Sequence, residues 1–311
     1  MKSRTKIWLG VGAFVVAGAG VTGAASAQTP AADRLQMSGS TSDLAIARAL
    51  PPATDFSAAK KPGGEHGEHG AKTSAKTKKQ GGEGGEGGGE GGAKGGAQLP
   101  PDLDFALKIS QIRGHLLVGD ELVKQGEWAA ALPHFLHPSE ELYGPIRGRL
   151  KDYQTPQFSS ALKLLSNAVK AKKGGEDYDK ALKAVEEALG AADAGLKAKQ
   201  PNWDSFAVET ALELLKSSTN EYQEAIVKGR IAKPVEYQDA RGYVWQSEKM
   251  IESLAPALEK KNADALKAVR DGFAELKKAW PAAMAPKTPV KDYAAVLGDV
   301  SRIELSVGKL M

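Results

Sequence analysis

The stretch GHLLVGDELVKQGEWAAALPHFLHPSEELY, residues 114–143, organises the rest of the chain. Its apolar residues recur at intervals of three and four on both sides of QGEW, which predicts two helices folded back on each other at Gly126. Pro138 ends the second helix, and SEEL is typical of the cap and first turn of a third helix.

Three of the five histidines of the chain lie in this stretch. His115 and His137 each lie eleven residues from Gly126, so in an antiparallel hairpin both are about 16 Å along their helices from the turn. His134 lies one helical turn from His137 and shares its face. We therefore expect the three imidazoles to converge. Imidazole suits zinc, copper or iron, so the stretch is a candidate site for a metal ion or haem.

Glu141, just past Pro138, is a candidate carboxylate ligand for the same site, with Asp120 as the alternative. The histidines also fit a purely structural role. In that interpretation, His115 and His134 are packed, hydrogen-bonded groups. His137 in the last turn of its helix would then stabilise the exposed carbonyl groups by roughly 0.3–1 kcal/mol.

A second candidate stretch, NEYQEAIVKGRIAKPVEYQDARGYV, covers residues 220–244. Lys233 and Pro234 predict an extended turn, after which Glu236 and Asp239 lie one helical turn apart near a helix start. Carboxylates at that position satisfy unpaired backbone amides and the helix dipole. The alternative is that they are, together with Glu221 or Glu224, hard oxygen ligands for iron or another divalent ion.

This second stretch resembles the periplasmic helical domain that accompanies FTR1-type iron permeases. The matching positions are Tyr222, Gly229, Ile231, Glu236, Tyr237 and Asp239. Residues 114–138 are similar to a helical hairpin of exported bacterial proteins. The Arg-Glu-x-x-Glu iron motif of the permease's own membrane helices is absent from the sequence. The resemblance therefore implies an accessory or binding role, with a membrane permease or a periplasmic redox protein as partner.

The hairpin also resembles a single tetratricopeptide repeat, in which small residues let two helices approach and aromatic residues fill the groove between them. The matching positions are Gly119, Leu122, Gly126, Trp128, Ala131 and Phe135. No second convincing copy follows, and an array needs about three copies to be stable. This resemblance gives the alternative function: a metal-free helical scaffold that binds a partner protein through the hairpin.

Residues 1–27 have the pattern of a secretory signal peptide. Lys2, Arg4 and Lys6 precede an apolar stretch, and Ala25-Ser26-Ala27 supplies the small residues that a signal peptidase needs. We expect cleavage after Ala27, a periplasmic location and no membrane span afterwards. An uncleaved membrane anchor is the alternative interpretation.

Residues 28–99 are predicted to form a disordered, low-complexity linker. Glycine, lysine, glutamate and histidine dominate much of it, and such a composition buries too little apolar surface to offset its ordering entropy. His66 and His69 lie in an EHGEHG tract within it. The tract is either a loose metal-capturing segment or part of a soluble spacer.

Residues 100–311 are predicted to form an all-α domain, a multi-helix bundle or an array of antiparallel helical hairpins, because no alternating strand pattern persists. The pattern also predicts individual helix boundaries: a third helix over residues 139–153, a fourth helix capped by Thr155 before Pro156, and a sixth helix over residues 203–228.

Composition excludes several classes of protein. The sequence has no cysteine, which excludes disulfides, thiolate metal sites and covalent c-type haem attachment. Its formal net charge of +4 falls to +1 without the three cations of residues 1–27, too little for a nucleic-acid-binding surface. No nucleophile elbow, phosphate-binding loop or H-E-x-x-H motif is present, so we expect a protein that is not an enzyme.

Overall fold

The computed structural model describes residues 98–311. The predicted signal peptide (residues 1–27) and all but the last two residues of the predicted linker (residues 28–99) lie outside the described residues. His66 and His69 lie outside them as well.

The described part of the chain consists of α-helices and one short β-hairpin, which confirms the all-α fold class. In chain order the elements are α1 (Pro101–Lys124), α2 (Trp128–His137), α3 (Tyr143–Ile146), α4 (Ser159–Lys170), α5 (Glu176–Lys199), α6 (Trp203–Ala225), β1 (Ile226–Val227), β2 (Arg230–Ile231), α7 (Pro234–Ser253), α8 (Ala255–Leu276) and α9 (Tyr293–Val307). None of the described helices combines the length and apolar character needed to cross a membrane.

The turn between α1 and α2 is the one that the sequence predicts. Gly126 has φ +80°, a left-handed conformation that glycine adopts without a steric penalty. The amide of Glu127 donates to the carbonyl of Leu122 at 2.9 Å, and the amide of Gly126 donates to the carbonyl of Val123 at 3.0 Å. These two bonds satisfy the last carbonyl groups of α1 and reverse the chain.

The predicted helix over residues 139–153 is wrong. A π-helical turn (Pro138–Leu142), the single-turn α3 and a 3₁₀ helix (Arg147–Tyr153) replace it. Pro138 and Pro145 lack amide donors, and Gly144 and Gly148 destabilise an α-helix relative to alanine, so an uninterrupted α-helix is not stable here.

Two predicted helix ends are also wrong. Helix α4 begins at Ser159 and not after Thr155, and Phe158, which makes no side-chain capping bond, occupies its N-cap. Helix α6 ends at Ala225, after which Ile226 pairs with Ile231 in an antiparallel β-hairpin. The β-branched residues favour strand, and the turn residues Lys228 and Gly229 both have positive φ.

Two large apolar clusters stabilise the described part. Side chains between residues 105 and 196, together with Ala283, build the first, and side chains between residues 207 and 310 build the second. Helices α1 and α7 pack together at two glycines: a Cβ added to Gly242 would lie 2.3 Å from the carbonyl oxygen of Gly114. This contact brings α7, from the second group of helices, against the hairpin of the first.

Candidate metal centre

Asp239 on α7 meets histidines from both arms of the α1–α2 hairpin. Its Oδ1 atom lies 2.7 Å from Nδ1 of His115 and 2.7 Å from Nδ1 of His134. Both imidazoles have no solvent exposure, and the carboxylate side chain is 2% exposed. The two candidate sites of the sequence are therefore one cluster, which we call the His–Asp cluster: His115, His134, His137 and Asp239.

His137 completes the cluster from the last residue of α2. Its Nδ1 atom lies 3.5 Å from Oδ2 of Asp239, and its ring centroid lies 5.3 Å from that of His115 in an edge-to-face arrangement. The expected convergence of the two hairpin arms is therefore present. The side chain of His137 is 25% exposed, so the cluster reaches solvent on this side.

The outer nitrogens of two imidazoles contact fixed polar groups. The Nε2 atom of His134 lies 3.0 Å from Oε1 of Gln238, and that of His115 lies 2.9 Å from the hydroxyl of Tyr243. The amide nitrogen of Gln238 faces the sulfur of Met284 at 3.8 Å, which favours this orientation of the amide. Metal-binding histidines usually have such outer partners, which fix the ring and its tautomer.

The electrostatics of the cluster favour an ionised carboxylate. Burial alone would raise the pKa of Asp239, but the charges and hydrogen bonds of His115 and His134 hold that pKa well below its usual value. A buried, ionised carboxylate requires positive charge beside it.

The hydrogen bonds of His134 indicate where that charge lies. Since Oε1 of Gln238 is an acceptor, Nε2 of His134 donates to it. In the neutral ring, Nδ1 would then present a lone pair to the carboxylate oxygen of Asp239. At 2.7 Å this contact is favourable only with a cation between the two atoms, either a proton or a metal ion.

The distances are close to those of a metal site. One ligand atom from each of His115, His134 and Asp239 lies within 4.8 Å of the other two. Metal–nitrogen and metal–oxygen bonds of about 2.0–2.2 Å place tetrahedral ligand atoms roughly 3.3 Å apart. Since Oδ1 of Asp239 lies 2.7 Å from Nδ1 of His115 and of His134, each of these two distances would have to lengthen by roughly 0.6 Å to admit a metal ion.

Three predicted ligands, His137, Glu141 and Glu236, lie outside the group of residues that the described structure brings within metal-binding reach. His137 contacts that group through Oδ2 of Asp239. Glu236 pairs with Lys233, at 3.6 Å between Oε1 and Nζ, on the first turn of α7. Glu141 is half-buried in the π-helical turn. Neither Glu236 nor Asp239 makes a helix-capping bond at the start of α7.

Gln238 and Tyr243 are partners of the histidines that the sequence did not predict. A signal was present for Tyr243, because it follows Asp239 by four residues and shares its helical face. Gln238 carried no comparable signal, since its contact with His134 depends on how α2 packs against α7.

The described chain is thus an all-helical protein with a buried His–Asp cluster at the junction of its two groups of helices. Residues 197–311 match the model of the iron permease-associated 4-helix bundle domain, which confirms the resemblance for this part of the chain. Searches of curated proteins and of solved structures found no match.

The matched residues comprise α6 to α9, the helices of the second apolar cluster. They supply Asp239, Gln238 and Tyr243, whereas all three histidines of the cluster precede them. The His–Asp cluster therefore depends on the hairpin that packs against the matched domain.

Proposed function

We propose that the protein binds a divalent first-row transition-metal ion at the His–Asp cluster. The observation that carries this proposal is the contact of two buried Nδ1 atoms with one carboxylate oxygen of Asp239, each at 2.7 Å. Gln238 and Tyr243 hold the outer nitrogens of the same rings, which leaves the Nδ1 atoms as ligands. When bound, the ion would supply the positive charge that the buried carboxylate needs.

A single ion fits this cluster better than haem does. The imidazoles of His115 and His134 are fully buried and contact protein groups through both ring nitrogens. A haem would need space for its macrocycle beside an axial histidine. Nitrogen and carboxylate ligands together suit iron, zinc or copper.

His137 is the proposed entry side for the ion. It is the one histidine of the cluster with appreciable exposure, at 25%, and it faces the second oxygen of Asp239. An ion captured by His137 and Asp239 would have a short path to the two buried imidazoles.

The biological role that we propose is accessory to iron handling beside a membrane permease, in the periplasm after removal of residues 1–27. The match of residues 197–311 to an iron permease-associated domain supports the permease as partner. Mass mapping of the N-terminus of the exported protein tests cleavage after Ala27.

A metal-free scaffold that binds a partner protein through the hairpin is the alternative function. However, Phe135 fills the groove of the hairpin against Gly119 and Tyr178.

Metal retention tests the proposal directly. The protein, purified without a histidine tag, is incubated with iron(II), zinc or copper(II), dialysed and analysed for bound metal. We expect about one ion per chain, a raised melting temperature, and loss of the ion in His115→Gln and Asp239→Asn. A His66→Gln/His69→Gln variant is the matched control for histidines outside the cluster. Retention that survives both cluster variants, or no retention by the natural sequence, would overturn the proposal.

A further inference from the structure

A cavity of about 210 Å³ lies between helices α1, α5, α6 and α7, away from the His–Asp cluster. Trp203 and Phe206, with ring centroids 6.0 Å apart, form one apolar wall, and Met250 lies on another. A second cavity of about 390 Å³ adjoins it and shares Arg113, Gln246 and Lys249 as lining residues.

Gln246 is a largely buried residue whose side-chain amide has no hydrogen-bond partner within the described part of the chain. The residue is 4% exposed, it lines both cavities, and its amide makes no hydrogen bond to any residue from 98 to 311. The amide of Gln246 is therefore open to the cavity, where a ligand can accept a hydrogen bond from its nitrogen. Other polar groups of the first cavity are already satisfied: Ser110 and Thr210 donate to backbone carbonyls of their own helices.

Lys249 gives the first cavity an excess positive charge. It lies one helical turn after Gln246, it is exposed, and it forms no ion pair within the described part of the chain. The guanidinium of Arg113 is neutralised by Asp193 through two hydrogen bonds of 2.7 and 3.0 Å. The second cavity carries Asp120 and Glu186, so an anion is favoured in the first.

We propose that the first cavity binds a small aromatic carboxylate. The ring would pack against Trp203 and Phe206, and the carboxylate would accept hydrogen bonds from the amide of Gln246 and the ammonium group of Lys249. The volume is below the 300–1,000 Å³ typical of drug-sized ligands, so the occupant is a compact molecule with one ring.

Benzoate and its neutral analogue benzamide are the probes for this site. Binding is followed through the indole N–H resonance of Trp203, identified by its loss in Trp203→Phe. We expect saturable shifts with benzoate and roughly tenfold weaker binding of benzamide. Lys249→Gln should weaken benzoate roughly fivefold or more and leave benzamide unchanged. Gln246→Leu should weaken both ligands.

A control variant and a control condition distinguish the cavity from non-specific charge attraction and from the His–Asp cluster. Lys261→Gln removes an exposed lysine of α8 and should leave benzoate binding unchanged. The natural sequence treated with a chelator should also bind benzoate normally, which distinguishes the cavity from carboxylate coordination at a metal ion. The proposal is overturned if benzoate gives no saturable shift of Trp203, if benzamide binds equally well, or if Lys249→Gln behaves like Lys261→Gln.

Discussion

The Nδ1 atom of His115 lies 2.7 Å from Oδ1 of Asp239, and this contact joins α1 to α7 inside the protein. One residue comes from the hairpin, and the other comes from the part that matches the iron permease-associated domain. The same contact therefore brings together two proposed metal ligands and links the two groups of helices.

Replacement of Asp239 by asparagine should destabilise the metal-free protein by about 3–5 kcal/mol. The change removes a fully buried negative charge and leaves the surrounding imidazoles without their counterion. Urea unfolding in the presence of a chelator measures the difference.

Glu236→Gln is the matched control, because Glu236 lies on the same helix and pairs with Lys233 near the surface. It should change the free energy of unfolding by less than about 1 kcal/mol. Equal effects of the two substitutions would contradict the central role of Asp239.

Much of the cluster could be predicted because it depends on local geometry. Because His115 and His137 are equally far from Gly126 along the chain, a hairpin places them at the same level on neighbouring helices. The one-turn spacing of His134 and His137 places them on the same helical face. The contact with Asp239 could not be predicted in the same way. It depends on how α7 packs against the hairpin, and the sequence does not give the relative position of helices so distant along the chain.

The fold shows the same division between local and tertiary information. Helical periodicity predicts helices over residues 103–125, 128–136 and 178–199, and α1, α2 and α5 begin and end within two residues of those bounds, since a clear glycine or proline follows each one. The helical prediction failed at residues 138–148, where proline and glycine interrupt the α-helix. It also failed at Ile226, where cross-strand pairing with Ile231 overrides the continuing helical pattern.

Gly242→Ala should push α7 away from α1. Its new Cβ would lie 2.3 Å from the carbonyl oxygen of Gly114, a distance that the backbone cannot tolerate. We expect a loss of about 1–3 kcal/mol in the free energy of unfolding. Metal retention should weaken as well, because Asp239 moves with α7.

Gly190→Ala is the control for the glycine substitution. This residue lies within α5, and a Cβ there would meet no atom within 4 Å. Alanine should stabilise the helix by about 0.5–1 kcal/mol. A similar stabilisation by Gly242→Ala would show that the close approach of α1 and α7 is not required.

Gln238→Leu should lower metal affinity by about 10- to 100-fold without removing a ligand. The substitution deletes the oxygen that accepts from Nε2 of His134, so the ring loses the partner that sets its tautomer. Gln238→Glu retains an acceptor and should keep most of the affinity. Titration with a competing chelator measures both, and equal losses in the two variants would contradict the acceptor role.

Glu275→Gln tests an acid-sensitive contact far from the cluster. Hydrogen bonds from Lys278 and Lys291 lower the pKa of Glu275 to about 2, from a usual value of 4.5. Because the folded pKa is the lower one, the carboxylate stabilises the protein above pH 4.5, and this stabilisation is lost as the pH falls from 4.5 towards 2. The natural sequence should therefore melt at a higher temperature than the variant at pH 7, with the difference shrinking between pH 4.5 and pH 3.

Glu259→Gln is the control for this prediction. Glu259 is exposed on α8 and forms no ion pair in the described part of the chain, so its variant should show no such pH-dependent difference. A melting-temperature difference for Glu275→Gln that stays constant over this range would contradict the lowered pKa.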